Sequence, residues 1–178
     1  SLPVTPFENI NKIFPPKDFC LFIAMGHTNM NKNRAKIFNE CKKLGYELLS
    51  YVHPTSIIGE DVKMGENCLV LENNVIQPFV TIGDDVIIWS NNVISHDVVI
   101  KDHCFIIHQV VISGYVTIEP YCIIAPNATI RNRVIIAKEC IIGMCTLIMK
   151  NTIEKGVYAV DSSQLLPVTS DRLKDITS

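Results

Sequence analysis

His96 is followed directly by Asp97, and this pairing is a candidate general base. A carboxylate beside an imidazole stabilises the imidazolium that forms when the ring takes up a proton. Such a pair can activate a hydroxyl or an amine for attack on a carbonyl carbon. The same two residues can also be a surface pair without a chemical role, and their spacing alone does not separate the two interpretations.

His103 and His108 have the spacing H-x4-H and raise the alternative of a zinc site. Catalytic zinc needs three protein ligands that converge on one point. In the repeat described next, His96, His103 and His108 are expected on three different faces. We therefore expect no metal.

The element that positions these residues is a repeat of six that runs without a slip from Ile58 to Ile148. All sixteen positions on this step are aliphatic or Met, and four residues after each of them stands a small, β-branched or short polar side chain. A period of six fits neither the two-residue alternation of a strand nor the 3.6-residue period of a helix. It indicates a solenoid in which each coil of eighteen residues stacks on the next. We predict a mainly β fold, a left-handed parallel β-helix of about five coils over residues 58–152.

Four of the seven cysteines fall in the small-residue column, which predicts packed, unreactive thiols. The cysteine count is odd, there is no CxxC pair, and no charged-then-apolar leader precedes the first apolar run. These features favour reduced thiols in a cytoplasmic protein. The four cysteines are Cys68, Cys104, Cys122 and Cys140.

The eighteen-residue coil places Gly114 beside His96 on the neighbouring coil. A glycine leaves its backbone N–H open to a reacting carbonyl, so Gly114 is a candidate oxyanion donor. A corner glycine that serves only backbone shape is the alternative. His96 and Gly114 together would supply a base and an oxyanion donor at facing positions.

The residues before the repeat predict part of an α/β domain. The run 19–26 is apolar as in a buried strand, residues 31–44 have helical spacing with Gly45 as a stop, and 47–52 is a second strand. One βαβ unit is too little for a complete doubly wound domain. We predict three parts: a remnant of an α/β domain (1–54), the β-helix (55–160), and a polar tail with one helical turn (161–178).

Composition excludes two classes of partner. The net charge of −2 argues against nucleic acid, because neutralising phosphates needs a basic surface. No apolar run approaches the ~18 residues that a membrane-spanning helix needs.

These residues carry a family resemblance. The stretch Ile94-Ser-His96-Asp97-Val-Val-Ile100, preceded by Leu48-Leu-Ser-Tyr-Val-His53-Pro54, resembles the bacterial sialic acid O-acetyltransferase and UDP-4-amino-sugar N-acetyltransferase group. Three further segments resemble an uncharacterised sugar acetyltransferase branch of that group: Met30-Asn-Lys-Asn-Arg34, Glu72-Asn-Asn-Val-Ile-Gln-Pro-Phe79 and Ile88-Trp-Ser-Asn-Asn92.

The resemblance implies a trimeric enzyme that transfers an acetyl group from acetyl-CoA to a hydroxyl or amine of a sugar or nucleotide sugar, in bacterial surface-glycan biosynthesis. It implies His96 as base, Asp97 as its acidic neighbour, and the Gly114 amide at the thioester carbonyl. We expect Gly114 and Asn132 to contact the co-substrate. The residues expected to contact the acceptor are Trp89, Asn91, Phe105 and His108.

Three departures from the family pattern bear on the acceptor. The family's second histidine falls at Phe105, with His103 and His108 near enough to substitute, and Trp89 stands where a polar substrate contact is expected. The family's N-terminal glycine-rich turn has no counterpart, so we expect weak nucleotide-sugar binding.

Two other functions stay open at this point. One is a zinc enzyme similar to the γ-class carbonic anhydrases, another hexapeptide-repeat family. The other is a non-catalytic trimeric β-helix scaffold.

Overall fold

A computed structural model describes residues 4–165 and 167–169. Within these residues the dominant unit is a solenoid of two-residue parallel strands, preceded by short helical elements. The helical elements are a 3₁₀ turn (Phe7–Asn9), α1 (Ile10–Ile13) and α2 (Lys32–Lys43). The strands are β1 (Tyr51–Val52), β2 (Ile57–Ile58), β3 (Lys63–Met64), β4 (Leu69–Val70), β5 (Val75–Ile76), β6 (Thr81–Ile82), β7 (Ile87–Ile88), β8 (Val93–Ile94), β9 (Val99–Ile100), β10 (Phe105–Ile106), β11 (Val111–Ile112), β12 (Thr117–Ile118), β13 (Ile123–Ile124), β14 (Thr129–Ile130), β15 (Ile135–Ile136), β16 (Ile141–Ile142), β17 (Leu147–Ile148) and β18 (Val157–Tyr158).

Each coil contributes one strand to each of three parallel sheets. The sheets have seven strands (β1-β4-β7-β10-β13-β16-β18), six strands (β2-β5-β8-β11-β14-β17) and five strands (β3-β6-β9-β12-β15). Through most of the solenoid, paired residues are eighteen apart, as in Phe105 with Ile123. The predicted parallel solenoid is confirmed, and it has about six coils rather than five, because β1 and β18 extend the seven-stranded sheet beyond 58–152.

The repeat of six builds the core. Every isoleucine of the step from Ile76 to Ile142 is at most 2% exposed. The second column is buried beside them, and it includes the four predicted cysteines. Burying this much aliphatic surface supplies the main driving force for stacking, at about 25 cal/mol per Å².

The corners repeat as well. From Asp61 to Cys145, every sixth residue has a positive φ although none of these residues is glycine. Asn and Asp adopt this left-handed conformation most easily, which suits positions such as Asn91 and Asp97. The corner turns set the direction in which the preceding side chain leaves the solenoid, and His96 precedes one of them.

The N-terminal segment differs from the expectation in its strands. Helix α2 is confirmed, and it ends as predicted: Gly45 has φ +89°, and the Tyr46 N–H donates to the Cys41 carbonyl. The strand expected over 19–26 is reduced to a single parallel bridge between Leu21 and Leu48. Of residues 19–26 only Ile23 is buried, so the two-sided burial that the apolar run suggested is wrong. The expected second strand, 47–52, is divided between two partners. Leu48 forms the bridge with Leu21, whereas Tyr51–Val52 pairs with β4 and belongs to the solenoid.

The C-terminal prediction is tested only in part. Residues 161–165 and 167–169 contain no helical turn, and the rest of the predicted tail lies outside the described residues. No helix in the described ranges combines the length and hydropathy that crossing a membrane requires.

Candidate active site at the His96 edge

His96 and Asp97 form a hydrogen-bonded pair at one corner of the solenoid. This corner, between the six-stranded and five-stranded sheets, is called the His96 edge. His96 Nδ1 lies 2.9 Å from Asp97 Oδ2, and half of the His96 side chain is exposed. Because a carboxylate only accepts hydrogen bonds, Nδ1 carries the proton. In the neutral ring the lone pair is therefore on Nε2, the atom available to take a proton from a substrate.

Gly114 lies directly against the His96 ring, as the eighteen-residue coil predicts. A Cβ at residue 114 would lie 3.0 Å from Cε1 and 3.1 Å from Nε2 of His96. The Gly114 carbonyl accepts a hydrogen bond from the Arg133 N–H, whereas its own N–H has no acceptor among the described residues. Glycine at this position gives room to the imidazole and leaves a donor beside Nε2.

Three side chains around His96 were not singled out for this site from the sequence. Gln77 Oε1 accepts a hydrogen bond from the His96 N–H at 3.0 Å, which fixes the backbone of the base. The Tyr115 ring meets the His96 ring edge to face with centroids 5.2 Å apart. The Arg133 guanidinium lies 4.5 Å from the centre of the Tyr115 ring. The eighteen-residue step could have found Tyr115 and Arg133, which share a column with Asp97, whereas Gln77 lies outside that column.

Asn132 follows on the next coil of the same edge and is exposed. The basic residues on these later coils, Arg131, Arg133 and Lys150, are also exposed. No carboxylate within the described ranges lies close enough to any of them for a salt bridge. Free positive charge thus lies on the C-terminal side of His96.

The expected acceptor contacts lie at a different corner, between the seven-stranded and six-stranded sheets, called the Trp89 edge. The centroid of the Trp89 ring lies 5.0 Å from that of His108 and 5.5 Å from that of Phe105. Asn91 is exposed in the turn that follows. The six-stranded sheet separates the two edges, because β8 (Val93–Ile94) lies between Asn91 and His96. Within one chain the two edges are therefore different corners of the solenoid.

Phe105 and His103 require corrections. Phe105, expected as an acceptor contact, lies on the outer face of the seven-stranded sheet but is only 1% exposed, because the segment before α2 covers that face. His103, a possible substitute for the family's second histidine, is also buried, and its Nδ1 lies 2.8 Å from Asp85 Oδ2. Its ring also stacks on the Tyr121 ring, so the His103 side chain is packed inside the protein and is not open to a substrate. Among the described residues, no group of three or more His, Cys, Asp or Glu side chains is placed to hold a metal ion.

Comparisons with known proteins agree with the repeat. Residues 61–96 and 97–132 each match the family model described as bacterial transferase hexapeptide (six repeats). No curated protein matches the chain.

Several solved structures have a similar fold. A mutant of GDP-perosamine N-acetyltransferase from Caulobacter crescentus, in complex with CoA and GDP-perosamine, has a TM-score of 0.80 at 20% identity, with 85% of this chain and 70% of that chain covered. The acetyltransferase domain of PglB from Neisseria gonorrhoeae, in complex with acetyl coenzyme A, has a TM-score of 0.81 at 21% identity, with 87% and 74% covered. WeeI from Acinetobacter baumannii has a TM-score of 0.65 at 23% identity, with 73% and 62% covered.

At these identities the likeness concerns the fold. The matched repeats lie within the solenoid, whose coils have the period of six found in the sequence. Residues 61–132 thus carry the hexapeptide repeats of this family model, and the chain has the fold that these acetyltransferases share.

Proposed function

We propose that this protein transfers an acetyl group from acetyl-CoA to a hydroxyl or an amine of a sugar or nucleotide sugar. The observation that carries the proposal is the contact of the Asp97-bound His96 ring with Gly114. Support comes from the shared fold, since two of the similar structures are acetyltransferases in complex with CoA or acetyl-CoA.

In the proposed reaction the acceptor oxygen or nitrogen attacks the thioester carbonyl carbon. His96 Nε2 takes the acceptor's proton as the new bond forms, and Asp97 stabilises the imidazolium. The Gly114 N–H donates to the carbonyl oxygen as it becomes an oxyanion. The carbon–sulfur bond then breaks, and the thiolate of CoA leaves with the proton that His96 returns. The free positive charge at Arg131, Arg133 and Lys150 suits the phosphates of CoA.

The proposal includes a homotrimer with its active sites between subunits. The Trp89 edge and the His96 edge lie at opposite borders of the six-stranded sheet within one chain, and that sheet carries an aliphatic outer face. The exposed side chains of that face are Ile57, Val93, Val111 and Leu147. Burying this face against a neighbour is favourable and would bring one subunit's Trp89 edge toward the next subunit's His96 edge.

The proposal also takes the solenoid to be the left-handed β-helix and residues 1–54 to be a remnant of a nucleotide-sugar-binding domain, as the family resemblance implies. Nucleotide sugar should then bind weakly to this chain while acetyl-CoA binds. Calorimetry with both ligands on one sample tests this, and tight binding of the nucleotide sugar would contradict the assignment of 1–54.

The test of the base is His96→Ala. We expect kcat to fall about 10²-fold or more, while acetyl-CoA binding stays within about twofold, because His96 acts on the acceptor's proton. His108→Ala is the matched control and should have the milder effect. Near-full activity in His96→Ala, with activity lost in His108→Ala, would show that the base has been assigned to the wrong histidine.

A further inference from the structure

A pocket of about 260 Å³ lies between the segment 22–26 and the seven-stranded sheet. Its floor is formed by Ile87, Trp89 and Phe105, and its wall by Phe22–Gly26. All of the lining side chains are apolar. The pocket is partly open to solvent, since Phe22, Met25 and Gly26 on its wall are exposed whereas Ile87 and Phe105 on its floor are buried.

Buried polar groups anchor the wall of the pocket at both ends. Arg34 and Asp85 are 0% exposed, and Arg34 Nε donates to Asp85 Oδ1 at 2.9 Å. At one end of the wall, Arg34 Nη1 donates to the Gly26 carbonyl at 3.3 Å. At the other end the Ile23 N–H donates to Asn67 Oδ1, and Asn67 Nδ2 donates to Asp85 Oδ1.

This arrangement is informative because buried charges are unfavourable. Removing an arginine and an aspartate from water costs several kcal/mol per ion before their attraction offsets it. Apolar side chains of the wall could instead close onto the sheet, which the hydrophobic effect favours. The network thus holds an apolar wall away from an apolar floor.

Gly26 adds an independent observation. A Cβ at this residue would meet no heavy atom within 4 Å, and its φ lies outside the left-handed range that favours glycine. Neither backbone conformation nor packing requires glycine here. A side chain at this position of the lining would extend into open space.

We propose that this pocket binds an uncharged ring with an apolar face, seated on Trp89. The lining has no charged or hydroxyl side chain, so a phosphate or a fully hydroxylated sugar would lose its hydrogen bonds to water without replacement. The volume is below the ~300 Å³ of small drug-sized sites, so it suits one ring rather than a whole nucleotide sugar. An aromatic base and a deoxygenated sugar share this chemistry. The ligand's identity as part of the acyl acceptor rests on the proposed function; the pocket itself does not.

Trp89 is the sole tryptophan of the chain, so its fluorescence reports on this pocket directly. The full chain is titrated with uridine, with methyl 6-deoxy-α-L-mannoside, and with glucose 1-phosphate, in the absence of acetyl-CoA. We expect a saturable change in emission with at least one of the two neutral probes, and none with glucose 1-phosphate. Saturation by uridine identifies an aromatic ligand, and saturation by the deoxyhexoside identifies a sugar.

Gly26→Leu fills the pocket and should weaken binding of the active probe at least tenfold. Thr28→Leu adds the same side chain to an exposed position just beyond the lining and should leave binding within about twofold. Circular dichroism and the thermal midpoint check that both variants fold. Met25→Glu, which places a carboxylate in the lining, is the second variant should Gly26→Leu fail to fold, and it should weaken binding equally.

Binding of neither neutral probe, equal affinity in Gly26→Leu, or equal binding of glucose 1-phosphate would overturn the proposal. These titrations involve no turnover. Failure of the pocket proposal would therefore not contradict the proposed role of His96. Conversely, an active His96→Ala variant would not contradict the pocket proposal.

Discussion

At the residue scale, the contact between His96 and Gly114 predicts that one added methyl group lowers kcat strongly but changes stability little. Gly114→Ala places a Cβ against the imidazole, a side chain that can swing toward solvent because half of it is exposed. We expect kcat to fall about 10²-fold, as in His96→Ala, while the thermal midpoint changes by only a few degrees. Steady-state kinetics and thermal unfolding measure the two effects.

Ser113→Ala is the matched control, because it changes the neighbouring residue of the same coil. It should retain most of the activity. If Gly114→Ala also retained it, the glycine would serve only backbone shape, and the oxyanion donor would have to be sought elsewhere.

The cysteines give a prediction on the same scale. Burial raises the pKa of the Cys68 thiol to about 11, and burial likewise raises the pKa of Cys104 and Cys41. A thiol with a raised pKa stays protonated at pH 8 and reacts slowly with disulfide reagents. Only Cys20 and Cys145 are exposed.

Titration of the native chain with Ellman's reagent at pH 8 should therefore give about two equivalents rapidly, and seven in guanidinium chloride. Of the two, Cys20 should react more slowly, because partial desolvation and the Glu47 carboxylate raise its pKa. Rapid reaction of five or more native thiols would contradict the packing of the small-residue column.

At the element scale, α2 is attached to the solenoid by the Arg34–Asp85 pair. Asp85→Asn leaves the Arg34 charge buried without its partner, and breaking a buried pair on one side typically costs about 3–5 kcal/mol. We expect residues 22–43 to open locally while the solenoid stays folded, since its core lies in a separate cluster. Hydrogen exchange of the two regions measures this difference.

Two variants control this experiment. Lys36→Ala removes an exposed i,i+4 pair with Glu40 and should change stability by no more than about 0.5 kcal/mol. The double variant Arg34→Met with Asp85→Leu removes both charges and should restore much of the protection in 22–43. Equal exchange in Asp85→Asn and the wild type would mean that apolar contacts alone hold α2.

At the scale of the whole molecule, the faces of the solenoid differ in what covers them. The seven-stranded sheet is covered by the chain's own N-terminal segment at Ile87, Phe105 and Ile123. The outer face of the six-stranded sheet exposes aliphatic side chains such as Val93 and Val111. This difference makes the six-stranded face the surface that we propose to lie between subunits.

We therefore expect light scattering to give three times the monomer mass. Val111→Glu should shift the chain toward monomer and remove activity, because a carboxylate in the interface is unpaired. Thr117→Glu on the five-stranded sheet is the control and should leave the mass unchanged. A stable wild-type monomer at micromolar concentration would exclude the shared active site.

The sequence by itself determined the solenoid. The period of six admits one arrangement in which Ile94 and Ile112 are both interior, and the coil of eighteen residues then places Gly114 against His96 without further information. Helix α2 and its stop at Gly45 were also readable, since apolar spacing and a glycine with positive φ are local signals.

Only the tertiary structure decided what covers each face. Residues 19–26 look like a buried strand from composition alone, yet this segment forms one bridge and otherwise lines a pocket. His103 and Phe105 look like site residues from the family resemblance, yet the segment from 22 to α2 buries them. The physical reason is that a repeat fixes which residues share a face, whereas burial of that face depends on contacts between residues far apart in sequence, such as Arg34 and Asp85.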